Sequence, residues 1–311
     1  MPTDRTPYDA VTFTNDQVTL AGSLALPGSG GASQAPGIVL VGGSGPSDRD
    51  NGTYFPPIRR HLRDAGFAVL SYDKRGVGDS SGDWREATLA DLADDARAAL
   101  RFLRAQPGVR PGAVGVFGHS EGGWVALRAA AAEGDALPWV ITNSCPGTTP
   151  AIQERHALAR VVRRDTDDVA GVLSLYDRIV AAGRRDAGFA EVSALVAAAG
   201  DPPALAAFWD GMDERLWGFL KRKQDHDPLA DAAHLRCPHL ALFGAADELV
   251  PVADSMHAYA TTACRPGRHP TATLTTELFP GADHRLQTPG TDRLAPGYLA
   301  VLTNWLAGRT F

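Results

Sequence analysis

Hydrophobic positions along the chain fall into two rhythms. Near the start, "DAVTFT" and "QVTLAGSLALP" alternate apolar and polar residues around a short "ND" step, the pattern of a β-hairpin with one covered face. The rhythm then changes. "GIVLVGG", "FAVLSYD", "AVGVFGH", "PWVITNS" and "HLALFGA" are short, nearly unbroken apolar runs, as strands show when both sheet faces are covered. Segments of helical spacing separate them. The clearest covers residues 88–104, where Leu89, Leu92, Ala96, Ala99, Leu100 and Leu103 share one stripe and Thr88 is placed to cap the first turn. This alternation predicts an α/β fold with a mostly parallel central sheet, helices on both faces and ligands beyond the carboxyl ends of the strands.

The alternation stops after "NSCPG". Residues 148–226 are helical in period, rich in Ala, Arg and Asp, and broken by Gly171, Gly183, Gly188, Gly200 and "DPP" at 201–203. They predict a helical subdomain inserted between two parts of one core, residues 1–147 and 227–311. Strand signals return at "CPHLALFG" and "TATLTTELFPG", and an amphipathic helix is expected around 298–306.

Composition narrows the classes. A chain of 311 residues with 44% hydrophobic and 21% charged content is an ordinary globular protein rather than a disordered or fibrous one. The net charge of −6, with no block of Lys and Arg, argues against nucleic acid or an anionic membrane as partner. Three separated cysteines, Cys145, Cys237 and Cys264, show no metal or disulfide spacing. With no signal-like segment in "MPTDRTPYDAVTF" and no apolar run of membrane-spanning length, a cytoplasmic protein is expected.

Chemistry concentrates at strand ends. In "AVGVFGHSEGG" the glycines Gly118 and Gly122 flank Ser120 between an apolar strand and the helical "GGWVALRAAAA", the strand–turn–helix setting that turns G-x-S-x-G from a plain turn into a nucleophile. A serine hydroxyl needs a base. Of the nine histidines, His284 in "LFPGADHRL" follows the last strand and is the candidate; His119 points the wrong way off the turn, and the others read as packing or surface residues. The imidazole needs a carboxylate to orient it. Asp247, at the end of "HLALFGAADELVP", is the candidate, with Glu248 its neighbouring competitor and Asp283 too close in sequence to His284. For an oxyanion, the backbone N–H of Glu121 supplies one donor and the glycine-rich "GGSGPSDRDNG" the other, assigned to Ser44 with Gly43 as alternative. That loop lacks phosphate-binding spacing.

Taken together, "GGSGPSDRD", "SYDKRGVGDSSG", "GHSEGG", "FGAADELVP" and "PGADH" resemble serine hydrolases of the α/β-hydrolase superfamily, near the bacterial prolyl-oligopeptidase-like and dienelactone-hydrolase-like esterases. The resemblance implies the α/β-hydrolase fold, with residues 148–226 as a helical cap. The order Ser120, Asp247, His284 is the one such enzymes use. Asp73 and Arg75 would pin a loop near the pocket. Gly42 departs from the pattern, since many relatives place a His there. Tyr176, Trp209 and Trp217, with Phe208 and Phe219, are candidate pocket residues, the competing reading being packing between cap helices; Arg155 and His156 either meet a substrate carboxylate or face solvent. The expected activity is hydrolysis of carboxylic esters through an acyl-enzyme, with no metal or organic cofactor and a small-molecule ester or thioester as partner. Thioester, amide or carbon–carbon hydrolysis and acyl transfer reuse the same machinery. A non-catalytic binding protein on the same fold is the rival from another class.

Overall fold

A computed structural model describes residues 8–28, 34–200 and 203–310. The opening segment read for a leader and the "DPP" break fall partly outside them. The hairpin forms from β1 (Asp9–Asn15) and β2 (Val18–Ala25), antiparallel and turning at Asp16, whose φ is 50°. Six strands follow: β3 (Ala35–Val41), β4 (Ala68–Tyr72), β5 (Val109–His119), β6 (Val140–Asn143), β7 (His239–Gly244) and β8 (Leu274–Phe279). All eight join one sheet in the order β1-β2-β4-β3-β5-β6-β7-β8, parallel from β4 through β8. β2 pairs antiparallel with β4.

The apolar runs become buried strands for the reason their pattern gives. Along β3, Ile38 and Leu40 face one hydrophobic cluster while Val39 and Val41 face the other; along β7, Leu240 and Leu242 alternate with Ala241 and Phe243 in the same way. With a side-chain period of two, both faces must be covered. α1 (Phe55–Asp64) and α11 (Tyr298–Thr310) cover one face. α2 (Leu89–Arg104), α3 (Glu121–Glu133), α9 (Pro228–Ala233) and α10 (Val252–Ala263) cover the other. The stripe over 88–104 is α2, capped as the sequence predicts. Thr88 Oγ1 accepts from Asp91 N–H at 3.1 Å and the Asp91 carboxylate accepts from Thr88 N–H at 2.7 Å.

Between β6 and α9 the described residues form five α-helices, α4 (Pro150–Asp165), α5 (Val169–Arg184), α6 (Phe189–Ala198), α7 (Ala206–Trp209) and α8 (Glu214–Lys223), with a 3-10 turn at Pro203–Leu205. They pack around a hydrophobic cluster of their own that includes Leu158, Val162, Leu175, Tyr176, Ile179 and Trp217. α8 reaches the main core, where Phe219 meets Trp84 edge-on with ring centroids 5.1 Å apart. No described helix is long and apolar enough to cross a membrane.

One feature of the strand order places the site. From β3 the chain moves to β4 on one side and then returns to β5 on the other, so the loops leaving β3 and β5 diverge and open a crevice at their carboxyl ends.

Candidate active site

The crevice holds Ser120. β5 ends at His119, α3 begins at Glu121, and Ser120 joins them at φ 54° and ψ −122°, a left-handed conformation that costs an L side chain about 1–3 kcal/mol. Two amide bonds hold the kink: Ser120 N–H donates to Asn143 O at 2.9 Å, and Gly123 N–H donates to Ser120 O at 2.8 Å. The flanking glycines are steric requirements. A Cβ at Gly118 would run into the Gly122 carbonyl, and one at Gly122 into the carbonyls of Val41 and Gly42.

The loop after β8 brings His284 to the same crevice, and the loop after β7 brings Asp247 to His284. Asp247 Oδ2 accepts from His284 Nδ1 at 2.8 Å. Its other oxygen accepts from the amides of Leu249 at 2.8 Å and Val250 at 3.1 Å, so the carboxylate is fixed on both sides and wholly covered. Because a carboxylate only accepts, Nδ1 carries the proton, and in the neutral imidazole Nε2 keeps its lone pair. The competitors are engaged elsewhere. Glu248 pairs with Arg160 and Arg164, and Asp283 accepts from the backbone of Arg285 and Gln287 in its own turn. Among the described residues Ser120 Oγ has no hydrogen-bond partner; it lines one cavity with His284.

His119, set aside in the sequence, packs at a tilt against both Tyr54 and His284, with ring centroids 4.8 and 5.0 Å away and interplanar angles of 55° and 53°. Burial, then the neighbouring His284, hold its pKa well below 6.5, so it stays neutral and its Nδ1 accepts from Asn143 at 3.2 Å. His239 is likewise buried and His226 half-buried, and desolvation pushes their pKa values down to about 3 and about 4.

The glycine-rich loop after β3 supplies Gly43 and Ser44. Gly43 N–H already leans on Asn51 Oδ1 at 3.5 Å, whereas the N–H groups of Ser44 and Glu121 have no protein acceptor among the described residues. The departure at Gly42 has a steric reason: a Cβ there would overlap Ser47 Oγ, which donates to Asn51 at 2.9 Å. Asp73 and Arg75 hold the neighbouring loop, Asp73 bound by Arg49 and Arg75 by Asp95 on α2. Lys74 between them was not singled out in the sequence. Its Nζ reaches Gly43 O at 2.6 Å and the buried Glu121 carboxylate at 2.9 Å, and Lys223 from α8 meets the second Glu121 oxygen at 2.9 Å.

A cavity of about 630 Å³ opens over Ser120. Its apolar lining comes from Trp84, Phe208, Met212, Leu216, Phe219 and Leu220, and its polar lining includes Gln153, Glu154, Lys223 and Arg285. The structure corrects part of the sequence reading. Phe208 and Phe219 line the cavity, but Tyr176 and Trp217 are buried inside the insertion's own cluster and Trp209 packs against it, stacked on Phe189. Their polar atoms explain the placement: the Tyr176 hydroxyl donates to Ala151 O and Trp217 Nε1 to Ala187 O, both within the insertion. Arg155 is exposed and paired with Asp177, away from the cavity.

A family model described as the alpha/beta hydrolase family matches residues 38–295. The chain belongs to the alpha/beta hydrolase family. Over 223 residues, 72% of its length and 60% of the relative's, the chain is 23% identical to the human mitochondrial palmitoyl-protein thioesterase ABHD10. It is 30% identical over 161 residues to the thiohydrolase aneE of Aspergillus aculeatus, covering 50% of this chain and 48% of that one. It is also 32% identical over 126 residues to the uncharacterized protein PA2218 of Pseudomonas aeruginosa, 40% of this chain and 33% of that one. The chain thus spans between about a third and three fifths of the length of these relatives. Its fold is shared with a Pyrococcus furiosus esterase (TM-score 0.64, 19% identity, 100% of this chain and 95% of that one). It is shared too with Est1E of Butyrivibrio proteoclasticus, solved with ferulic acid (TM-score 0.62, 17% identity, 96% and 97% covered).

Proposed function

We propose that the hydrolase cleaves carboxylic esters by acyl-enzyme chemistry, with Ser120 as nucleophile, His284 as general base and acid, and Asp247 as its orienting partner. The observation that carries the reading is the Asp247–His284 hydrogen bond of 2.8 Å, which leaves Nε2 as acceptor in the cavity that Ser120 lines. Nε2 takes the hydroxyl proton as Oγ bonds to the substrate carbonyl. The carbonyl oxygen becomes an oxyanion, which the N–H groups of Ser44 and Glu121 receive. On collapse, the protonated imidazole gives its proton to the departing alcohol and the acyl group stays on Ser120. Water then repeats the sequence, its proton passing to His284, and the acid is released.

Thioesters are the second substrate class, favoured by the thioesterase and thiohydrolase among the relatives. The chemistry differs only in the leaving group. The apolar wall of Trp84, Phe208, Met212 and Leu216 suits an acyl chain in either case. The insertion that builds most of this wall acts as the cap, and residues 148–226 are its proposed extent.

Labelling with a fluorophosphonate probe tests the nucleophile, and a panel of acyl p-nitrophenyl esters and thioesters of increasing chain length tests the substrate. Mass spectrometry should place the adduct on Ser120. An unlabelled Ser120 in folded protein would favour the non-catalytic binding reading.

A further inference from the structure

Glu121 follows the nucleophile, and its carboxylate is buried, with 1% of the side chain exposed. Each of its oxygens faces a lysine, Oε1 to Lys74 and Oε2 to Lys223, both at 2.9 Å, and Ser44 Oγ stands 3.4 Å from Oε2. Burial alone would raise the pKa of this acid, but the two lysines outweigh it and hold the pKa at about 2, so the charge persists across working pH. Lys223 is shared with Glu154 at 3.8 Å, which in turn accepts from Tyr176. Buried ion clusters of this kind add little net stability compared with an apolar replacement, so stability is a poor reason for this one.

Its geometry suggests another. Lys74 Nζ also takes the Gly43 carbonyl at 2.6 Å. The peptide between Gly43 and Ser44 is trans, so the Ser44 N–H points opposite to that carbonyl and is turned away from Lys74. A single ammonium group therefore fixes both the peptide that carries the Ser44 donor and the side chain of the residue that carries the Glu121 donor. Lys223, holding the far side of the same carboxylate, is the last residue of α8, and Leu216, Phe219 and Leu220 of α8 line the cavity.

We propose that Lys74 and Lys223 are positioning residues that clamp Glu121 and so align the two oxyanion donors, with Lys223 tying that alignment to the seating of α8 on the core. The inference rests on the assignment of Ser44 and Glu121 as those donors. It implies that acyl groups filling the α8 wall raise kcat, because contacts that hold α8 in place act on the transition state as well as on binding.

The test compares Lys223→Met and Lys223→Arg with wild type in the full chain. p-Nitrophenyl butyrate is the substrate, and kcat is normalised to sites labelled by fluorophosphonate so that misfolded protein does not count. Lys223→Met should lose about tenfold to a hundredfold in kcat while KM moves less than about threefold, and Lys223→Arg should recover most of the loss. Lys74→Met should show the same split. Wild-type kcat per labelled site in Lys223→Met, whatever its melting temperature, overturns the proposal, as does a change confined to KM, which would make Lys223 a substrate contact. Absence of labelling in the wild type would sink the serine-hydrolase reading instead.

Discussion

The strand ends of the core and the helices of the insertion face each other across one cavity, yet they hold their residues by different means. At the strand ends, backbone does the holding: Ser120 is fixed by a left-handed kink and two amide bonds, and Asp247 by two more amides. In the insertion, side chains do it, packed around Tyr176, Ile179 and Trp217 and tied to the core mainly through side chains, among them Phe219, Lys223, Gln153, Arg160 and Arg164 to Glu248, Arg215 to Asp83 and Arg222 to the Arg85 and Ala87 carbonyls. The difference matches what the proposed function asks of each region. Proton transfer and carbonyl attack tolerate displacements well under 1 Å, which a hydrogen-bonded backbone can guarantee. A wall for an acyl chain tolerates repacking, and side-chain cores supply that freedom.

This contrast can be broken at four points. The largest effect is expected at the rigid side: Ser120→Ala should lower kcat by roughly 10⁴ to 10⁶ with little change in thermal stability, measured by ester turnover and calorimetry. Near-normal turnover in that variant would place the nucleophile elsewhere. Next is Trp217→Ala, which empties the centre of the insertion and should cost about 3–5 kcal/mol there. Chemical denaturation followed by tryptophan fluorescence should then show an early transition of the insertion ahead of the core; one unshifted transition would contradict a separately packed unit. Third, Met212→Trp narrows the apolar wall. It should cut kcat/KM for decanoate esters by about 10- to 100-fold while acetate esters change by less than about threefold, and equal losses for both would mean the acyl chain lies elsewhere. Smallest is Arg155→Ala. Removing an exposed ion pair with Asp177 should change stability by less than about 1 kcal/mol, with kcat/KM for carboxylate-bearing esters unaltered; a selective loss for those esters would return Arg155 to the site.

The same contrast explains what was legible in the sequence. Strand runs and glycine spacing obey local rules, so "GHSEGG", "GAADELVP" and "PGADH" announced positions that the sheet then brought to one rim. Helical periodicity tells which face of a helix is buried but not against what. Tyr176 and Trp217 satisfy their polar atoms inside the insertion, whereas Phe219, two residues beyond Trp217, turns to Trp84 and the cavity. Lys74 and Lys223 escaped notice for a related reason. Their common partner Glu121 lies 47 and 102 residues away, and a lysine in isolation reads as a solvated surface group.

The dihedral angles at residue 120 set durability against the turnover proposed for it. Glycine adopts a φ of 54° without the penalty that serine bears, so selection for a long-lived fold alone favours an inert residue at the apex of this turn. Under the proposed mechanism the serine bears that penalty for the sake of its hydroxyl, and drift toward glycine at position 120 would be an early trace of that chemistry being given up.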